Sequence, residues 1–365
     1  MRLLSPHHLV DEVQNQVVHP VENVVEDKTM KTTKTTKTIN LKNRPNGKPE
    51  LTDFDFTTSE IPELQDGDVL LRSQYVSVDP YLRGRMSDAP SYVEPFELNK
   101  PIASGMIAEV LESKHSSFSI GDHVSGMLQW KETQVAKADG LMKVDPDKAP
   151  LSAYLGILGM TGLTAYLGLT EIGKPKEGET LLVSGAAGAV GSVVGQIGKI
   201  LGLRVVGIAG TDEKIALLKS KFGFDEAINY KTTENMTEAI ADACPDGVDV
   251  YFDNVGGEIS EAVLFNINTF SRTVNCGAIS VYNNTEPPKS MSVQPFLIKK
   301  SSSMQGFIVH NFADKHPAGV KQLAEWLDQN KLKYTETIIE GFENIPQAFL
   351  GLFEGKNNGK MVVKL

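Results

Sequence analysis

The segment Gly185-Ala186-Ala187-Gly188-Ala189-Val190-Gly191 follows the apolar run Leu181-Leu182-Val183 and precedes Val193-Val194-Gly195-Gln196-Ile197. A strand that passes through a glycine-rich turn straight into a helix opens a βαβ unit, and few folds accommodate it. The first N–H groups of that helix have no partner within the helix, and glycine lets the backbone approach an anion closely. On its own a glycine triplet also reads as a plain turn with close helix packing. The strand before it and the helix after it turn the reading toward the pyrophosphate of a dinucleotide.

The rhythm around the turn agrees. Helix is predicted over 153–169, strand over 180–184, helix over 190–201, strand over 204–209, helix over 212–222 and strand over 248–252. Such alternation builds a parallel sheet with flanking helices. Upstream, from Ile39 to about Leu151, short apolar pieces such as Val69-Leu70-Leu71-Arg72 and Met106-Ile107-Ala108-Glu109-Val110 alternate with Pro, Gly, Asn and Ser. That pattern predicts a mostly antiparallel β domain. Beyond Gly306 the chain offers a strand-like Phe307-Ile308-Val309, a helix over 318–330 and a terminal strand over 360–364, a tail that is expected to return to the first domain. A chain of 365 residues suits two such cores.

The fold class expected is therefore α/β: residues 39–158 and 307–365 form a mostly β domain, and 159–306 form a Rossmann domain. Residues 1–38 are polar and carry the repeat Lys31-Thr32-Thr33-Lys34-Thr35-Thr36-Lys37, so an unpacked extension is expected there, with Met30 as a candidate start of translation.

The end of the second strand selects the cofactor. An NAD site has Asp or Glu there to hold the ribose 2′-hydroxyl, whereas this chain reads Gly207-Ile208-Ala209-Gly210-Thr211. No carboxylate repels a 2′-phosphate, and Lys214 follows in the first turn of the next helix as a candidate cation. Asp212 and Glu213 read as partners of the helix dipole. The reading is NADPH.

The formal net charge of −10 argues against a nucleic acid or an anionic membrane surface as partner. Cys244 and Cys276 supply neither a disulfide framework nor a structural zinc site, which favours a reducing, cytoplasmic setting. The apolar stretch 181–210 is interrupted by Gln196, Lys199 and Arg204 and reads as buried strand, helix and strand, not as a membrane span. No secretory signal is read at the N-terminus.

Several motifs together resemble the medium-chain dehydrogenase/reductase superfamily, in its zinc-independent branch of alkenal double-bond reductases, prostaglandin reductases and bacterial curcumin reductases. They are Asp79-Pro80-Tyr81-Leu82-Arg83-Gly84-Arg85-Met86, Gly159-Met160-Thr161-Gly162-Leu163-Thr164-Ala165-Tyr166, the glycine turn, Phe252-Asp253-Asn254-Val255-Gly256-Gly257, Cys276-Gly277-Ala278-Ile279-Ser280 and Gly359-Lys360. The resemblance covers residues 39–365 and implies a GroES-like catalytic domain. Zinc-dependent relatives carry a cysteine before the aspartate matching Asp79 and a Gly-His-Glu segment further on; here Val76-Ser77-Val78 and Pro101-Ile102-Ala103-Ser104-Gly105 stand there, without zinc-ligand types. The seven histidines are scattered, and His310 is the one whose surroundings matter most to check.

The resemblance also implies site residues. Gly188, Ala189, Val190, Gly191, Lys214, Tyr230 and Asn254 would contact NADPH, as would Cys276, Gly277, Ala278, Ile279, Ser280, Tyr282, Phe307, Ile308, Val309, Asn357, Met160 and Thr161. Lys214 and Tyr230 would share the 2′-phosphate end. Tyr282 and Tyr81 would stand near the substrate, Tyr282 as the hydroxyl that stabilises a developing enolate and Tyr81 in positioning or proton delivery. The implied reaction is reduction of the carbon–carbon double bond of a small apolar α,β-unsaturated aldehyde or ketone, in a homodimer. Tyr81, Met86, Tyr92 and Phe96 lie where they wall an apolar cleft or fill a core. An NADPH quinone oxidoreductase is the nearest alternative, and a protein that binds NADPH without turnover is a more distant one.

Overall fold

The computed structural model describes residues 35–365. The expectations for residues 1–34, Met30 included, lie outside the described residues.

Six strands pair in parallel: Thr180–Val183, Arg204–Ala209, Glu226–Asn229, Val248–Asp253, Ile267–Asn275 and Ser303–Gly306. Numbered in chain order they lie 3-2-1-4-5-6 across the sheet, the Rossmann arrangement. Alternation along each strand feeds two cores. Leu181, Val183, Val205 and Phe252 pack with Val193, Val194 and Ile197 of helix Gly191–Ile200 on one face. Leu182, Val206, Ile208 and Tyr251 pack with Ile240 and Val263, from helices Met236–Ala243 and Gly257–Leu264, on the other. With both faces covered, near-continuous apolar strands are what the sheet requires.

The remaining strands form a mostly β lobe. A seven-stranded sheet runs in the order Glu336–Glu340, Lys360–Lys364, Asp68–Ser77, Ala103–Ser113, His123–Gln129, Met142–Val144, with Thr133–Lys137 pairing Asp68–Ser77 off that path. A separate hairpin joins Thr35–Leu41 to Phe54–Glu60 and is laced to the lobe by Ile39 N–H to the Trp130 carbonyl (3.0 Å) and Leu41 N–H to the Lys100 carbonyl (3.1 Å). Trp130, stacked 6.3 Å from Phe54, is fully buried among these strands.

Four expectations need correction. The first strand begins at Thr35, so residues 35–38 belong to the sheet and not to an extension. Burial alternates along the start of this strand: Thr36 and Thr38 are buried while Thr35 and Lys37 face water, and β-branched threonine suits that pleat. Secondly, the predicted helix 153–169 is broken. A 3₁₀ turn at Leu151–Leu155 ends at Gly156, helix Met160–Leu167 follows, and the chain then widens into a π turn at Gly168–Gly173.

Thirdly, Phe307-Ile308-Val309 is not a strand; the strand is Ser303–Gly306, and a 3₁₀ helix starts at Val309. Lastly, the tail does not return to the β lobe at 307. Helix His316–Asp328 lays Leu323 into the nucleotide-lobe core, Trp326 meets Tyr166 edge-on at 5.8 Å, and the Gln196 side chain both donates to the Lys333 carbonyl and accepts from its N–H at 2.8 Å. The apolar stripe of that helix needs a partner, and helix Met160–Leu167 supplies it. The chain crosses to the β lobe at Glu336.

Candidate active site

A cleft of ≈ 1870 Å³ opens at the carboxyl ends of the parallel strands, where the strand order reverses between Thr180–Val183 and Val248–Asp253. Both lobes wall it. Crevices at this reversal are where open α/β sheets take ligands, because the helix N-termini and loops converge there.

The glycine turn forms one wall. Gly185 holds φ +57°, and a Cβ at Gly191 would lie 2.4 Å from the Gly185 carbonyl oxygen, so the turn closes only on glycine. The Ala186 N–H is tied to the Ile208 carbonyl (3.0 Å) and the Gly188 N–H to the Gly185 carbonyl (3.0 Å). Among the described residues no acceptor takes the N–H of Val190 or Gly191, while the bridge between Gly188 and Gly359 turns the Ala189 N–H toward the Gly359 carbonyl; all three residues line the cleft. Unpaired N–H groups at a helix start are the donors a pyrophosphate needs. The turn is fastened from the β lobe as well, by the Gly359 N–H to the Ala187 carbonyl at 2.8 Å.

Asn254 owes its position to Asp253, a residue to which the sequence assigned no role. Oδ1 of this buried carboxylate accepts from the Tyr251 hydroxyl (2.9 Å), the Ser184 hydroxyl (2.8 Å) and the N–H groups of Val255 and Gly256 (3.0 Å each). Its Oδ2 accepts from the Ser260 hydroxyl. Ser184 in turn accepts the Asn254 N–H (2.9 Å), and the Asn254 amide donates to the Ser184 carbonyl (2.8 Å). The Asp253 carbonyl takes the N–H groups of Cys276 and Gly277 at 2.9 and 3.1 Å. One residue at the end of the central strand therefore sets two loops of the cleft. The only signal in the sequence is an aspartate closing an apolar strand ahead of Asn-Val-Gly-Gly.

At the end of the second strand, a Cβ on Gly210 would come within 2.8 Å of the Tyr230 ring. A side chain there would have to displace the partly exposed Tyr230 ring from the corner. Lys214 donates from Nζ to the Gly355 carbonyl at 2.7 Å, and Lys231 lines the cleft with it and Tyr230. Burial, then the charge of Lys231, lowers the Lys214 pKa. Two ammonium groups gathered at one corner favour an anion between them.

Tyr282 and Tyr81 face the same cleft from the two lobes. The Tyr282 hydroxyl accepts the Ala278 N–H at 3.1 Å, and its pKa is raised by burial. Burial raises the Tyr81 pKa far above the phenol range, with Asp79 adding to the rise. Asp79 is paired with Lys360, whose Nζ donates to Asp79 Oδ1 (3.0 Å), the Val78 carbonyl (2.9 Å) and the Met361 carbonyl (3.1 Å), all buried. The Ser77 hydroxyl donates to Asp79 Oδ2. A Lys–Asp pair thus occupies the position before which zinc-dependent relatives carry a cysteine.

Met160, Thr161, Cys276, Gly277, Ile279, Ser280, Phe307, Ile308, Val309 and Asn357 also line the cleft. The Thr161 hydroxyl is buried without a partner, an orphan polar atom of the kind a ligand satisfies. Ala278 does not line the cleft, since its N–H is directed to Tyr282. Of the residues read as wall or core, Tyr81 and Tyr92 are wall, while Met86 and Phe96 are core. His310 lines the cleft and lies 5.9 Å from His316, ring to ring. Among the described residues no group of three His, Cys, Asp or Glu side chains is placed to hold a metal.

Comparison with known proteins agrees with this architecture. The profile described as N-terminal domain of oxidoreductase matches residues 37–144, and that described as zinc-binding dehydrogenase matches 189–329. The protein YfmJ of Bacillus subtilis (strain 168), whose name marks it as a candidate NADP-dependent oxidoreductase, is 59% identical over 90% of this chain and 97% of its own. The NADPH-dependent curcumin reductase of Escherichia coli (strain K12) is 41% identical over 89% of this chain and 95% of its own. Prostaglandin reductase 1 of Rattus norvegicus is 45% identical over 89% of this chain and 97% of its own.

Among solved structures, CurA from Vibrio vulnificus in complex with NADPH superposes with a TM-score of 0.86 at 43% identity, covering 90% of this chain and 98% of that one. With such identities along about nine-tenths of its length, the chain belongs to the medium-chain dehydrogenase/reductase family, in the branch that holds the curcumin, prostaglandin and 2-alkenal reductases.

Proposed function

We propose that this chain is an NADPH-dependent reductase of the carbon–carbon double bond in α,β-unsaturated aldehydes and ketones. The observation that carries the reading is the Tyr282 hydroxyl, which accepts the Ala278 N–H in the same cleft as the glycine turn and so keeps its own proton free to donate. Accepting one hydrogen bond strengthens the one it gives, and burial keeps the phenol protonated. A phenol so held favours an enolate oxygen over the carbonyl it develops from, and this difference accelerates the reaction.

The residues present fit the cofactor. The free N–H groups of Val190 and Gly191 suit the pyrophosphate, with Ala189 beside them, Lys214, Lys231 and Tyr230 the 2′-phosphate, and Asn254, Cys276, Ser280, Phe307, Val309 and Asn357 the remaining length. Thr161 offers a buried hydroxyl in need of a partner. When bound, NADPH supplies the hydride to the substrate β-carbon. Tyr81, shielded and protonated, is assigned to positioning or proton delivery.

The proposal extends to a homodimer in the cytoplasm. Strand Ser303–Gly306 leaves the edge of the nucleotide sheet open, with Phe270 and Ile298 exposed. Both cysteines are free thiols, and among the described residues no helix is long and apolar enough to cross a membrane.

NADPH consumption across a panel of enals, enones and quinones tests the activity, with enals and enones expected as the best acceptors. Turnover of quinones alone favours the quinone reductase, and tight NADPH binding without oxidation by any acceptor overturns the catalytic reading. Sedimentation at micromolar concentration that shows only monomer overturns the dimer.

A further inference from the structure

The two phenols of the cleft stand on different lobes, Tyr81 just ahead of the short helix Leu82–Arg85 and Tyr282 in the loop after strand Ile267–Asn275. Their separation depends on how the lobes are tied. At the cofactor end the ties are the Gly359 N–H to the Ala187 carbonyl (2.8 Å), Lys214 Nζ to the Gly355 carbonyl (2.7 Å) and the Asn358 amide to Glu213 Oε1 (3.2 Å). The loop of residues 276–293, which carries Tyr282, is fastened to its own lobe on the carbonyls of Asp253, Asn254 and Val255 and on the Glu261 carboxylate. Among the described residues a single hydrogen bond joins that loop to the β lobe: Arg83 Nε donates to Asn283 Oδ1 at 3.1 Å.

Both ends of this bond sit close to a phenol in the chain. Arg83 lies two residues after Tyr81 in one helical turn, where the Arg83 N–H closes on the Pro80 carbonyl (3.1 Å) and the Gly84 N–H on the Tyr81 carbonyl (3.0 Å). Asn283 follows Tyr282 directly.

The Arg83 guanidinium is buried, and its Nη2 donates to the carbonyls of Gly47 (2.9 Å) and Pro45 (3.4 Å). A Cβ on Gly47 would lie 3.7 Å from the Asn283 carbonyl oxygen and from the Thr285 methyl, so the turn at 45–47 packs directly on residues 283–285. Burial lowers the Arg83 pKa, opposed in part by the charge of Asp53. Keeping a desolvated cation is costly, and a neutral donor suffices to pin a carbonyl. What the guanidinium adds is a rigid planar edge that holds the 45–47 turn and Asn283 at once, which the single nitrogen of a lysine cannot do. Since Nε can only donate, it also fixes the Asn283 amide with Oδ1 toward Arg83.

We propose that Arg83 and Asn283 are positioning residues, a tether that holds the loop of Tyr282 against the helix of Tyr81 so that both hydroxyls reach one substrate. The assignment rests on the reading of Tyr282 above. Misplacement of a reacting group by about 1 Å can cost on the order of a hundredfold in rate, so a tether one residue from the phenol acts on turnover. A pair that served stability alone would lower the thermal midpoint and leave the contribution of Tyr282 to turnover intact.

The test measures reduction of a straight-chain 2-alkenal by the full chain, with kcat expressed per NADPH-binding site titrated by calorimetry, so that an unfolded fraction does not enter. Asn283→Ala leaves Arg83 on its two carbonyls and removes the tether. Its kcat should fall by about tenfold, while KM for the alkenal and the Kd for NADPH stay within about twofold. Arg83→Lys keeps a cation for the 45–47 turn and should lose as much, with the double variant no worse than either single one. Asn283→Asp keeps the acceptor for Nε but has no N–H to offer a substrate, and it should stay within about twofold of the parent. Tyr282→Phe, worth about tenfold in the parent, should cost no more than about twofold once Asn283 is alanine.

Undiminished kcat in Asn283→Ala overturns the tether. So does a loss in Asn283→Asp as large as in Asn283→Ala, which would make the amide a substrate contact, and so does a full Tyr282→Phe loss on the Asn283→Ala background. If Tyr282→Phe costs turnover and Asn283→Ala does not, the tether fails and the reading of Tyr282 stands. If Tyr282→Phe alone costs nothing, that reading fails and the tether falls with it.

Discussion

Replacing Lys214 with alanine isolates the 2′-phosphate end of the cleft. The ammonium group donates to the Gly355 carbonyl at 2.7 Å and stands with Lys231 and Tyr230 around the same corner. A charge-assisted bond to a phosphate oxygen contributes about 1.5–3 kcal/mol. Here that bond displaces an existing one to Gly355, solvent screens part of it, and Lys231 remains to hold the anion, so the lower end applies. The expected loss is about 1.5 kcal/mol, or about tenfold in the Kd for NADPH. NADH lacks the phosphate, and its Kd should stay within about twofold, the scatter of a surface substitution.

Calorimetric titration of both cofactors against both proteins at low salt gives the comparison. An equal loss for NADPH and NADH, or none for either, refutes the reasoning. The pH dependence carries a sign. The Lys214 pKa is lowered by burial and by Lys231, so the cation is lost earlier than an ordinary lysine as pH rises, and NADPH affinity falls with it. On the acid side affinity falls as the phosphate takes up its second proton, near pH ~6. The NADPH-to-NADH affinity ratio should peak between these limits, and Lys214→Ala should flatten the alkaline side.

Other substitutions probe the remaining parts of the cleft. Tyr282→Phe should lower kcat on an enone by about tenfold or more while sparing NADPH affinity, and unchanged turnover would remove Tyr282 from catalysis. Gly191→Ala places a Cβ 2.4 Å from the Gly185 carbonyl, a clash with backbone that only a shift of the turn relieves, so NADPH and NADH binding should fail together in calorimetry. Asp253→Asn leaves one end of the side chain unable to accept from Ser260 or from the donors gathered on Oδ1. It should destabilise by about 3 kcal/mol, and a thermal midpoint equal to that of the parent would contradict the network. Since burial raises the Tyr282 pKa above its ordinary 10.0, turnover at saturating NADPH should not fall from phenol ionisation until pH exceeds about 10. A Tyr282-dependent loss centred below about pH 9 would refute that protonation state.

What the sequence displayed, and what it hid, follow from the range of the interactions. Strand Arg204–Ala209 and strand Lys360–Lys364 are legible to the residue because each is a short β-rich run bounded by turn signals. Glu226–Asn229 and Ile267–Asn275 are not. The first buries only Ile228 fully, and the second mixes Asn, Thr, Ser and Arg with apolar residues, so neither shows a clean alternation. The glycine turn is legible because its chemistry is local. The support of Asn254 is less so, because the Asp253 carboxylate gathers donors from three separate segments, Ser184, Tyr251 to Gly256 and Ser260.

The least visible part is the closure of the cleft by the end of the chain. Lys360 reaches Asp79 across 281 residues, and its neighbour Gly359 donates to Ala187 in the glycine turn. A Cβ at Gly359 would lie 1.8 Å from the Thr335 carbonyl, so this residue must be glycine for the strand to approach the turn at all. These contacts place the aspartate beside Tyr81 and the loop that receives the cofactor in one rigid unit. Removing the ammonium, as in Lys360→Met, leaves Asp79 buried without its counter-charge, a loss of about 3–5 kcal/mol that falls on the β lobe, to which both residues belong, one residue from the Gly359 contact with the glycine turn. In the dipeptide Gly359-Lys360, Gly359 makes the contact to the glycine turn of the other lobe and Lys360 sets the environment of Tyr81 through Asp79. A variant that moves one without the other, for instance by shifting the alkaline limb of turnover with no change in thermal midpoint, would show that the two are separable.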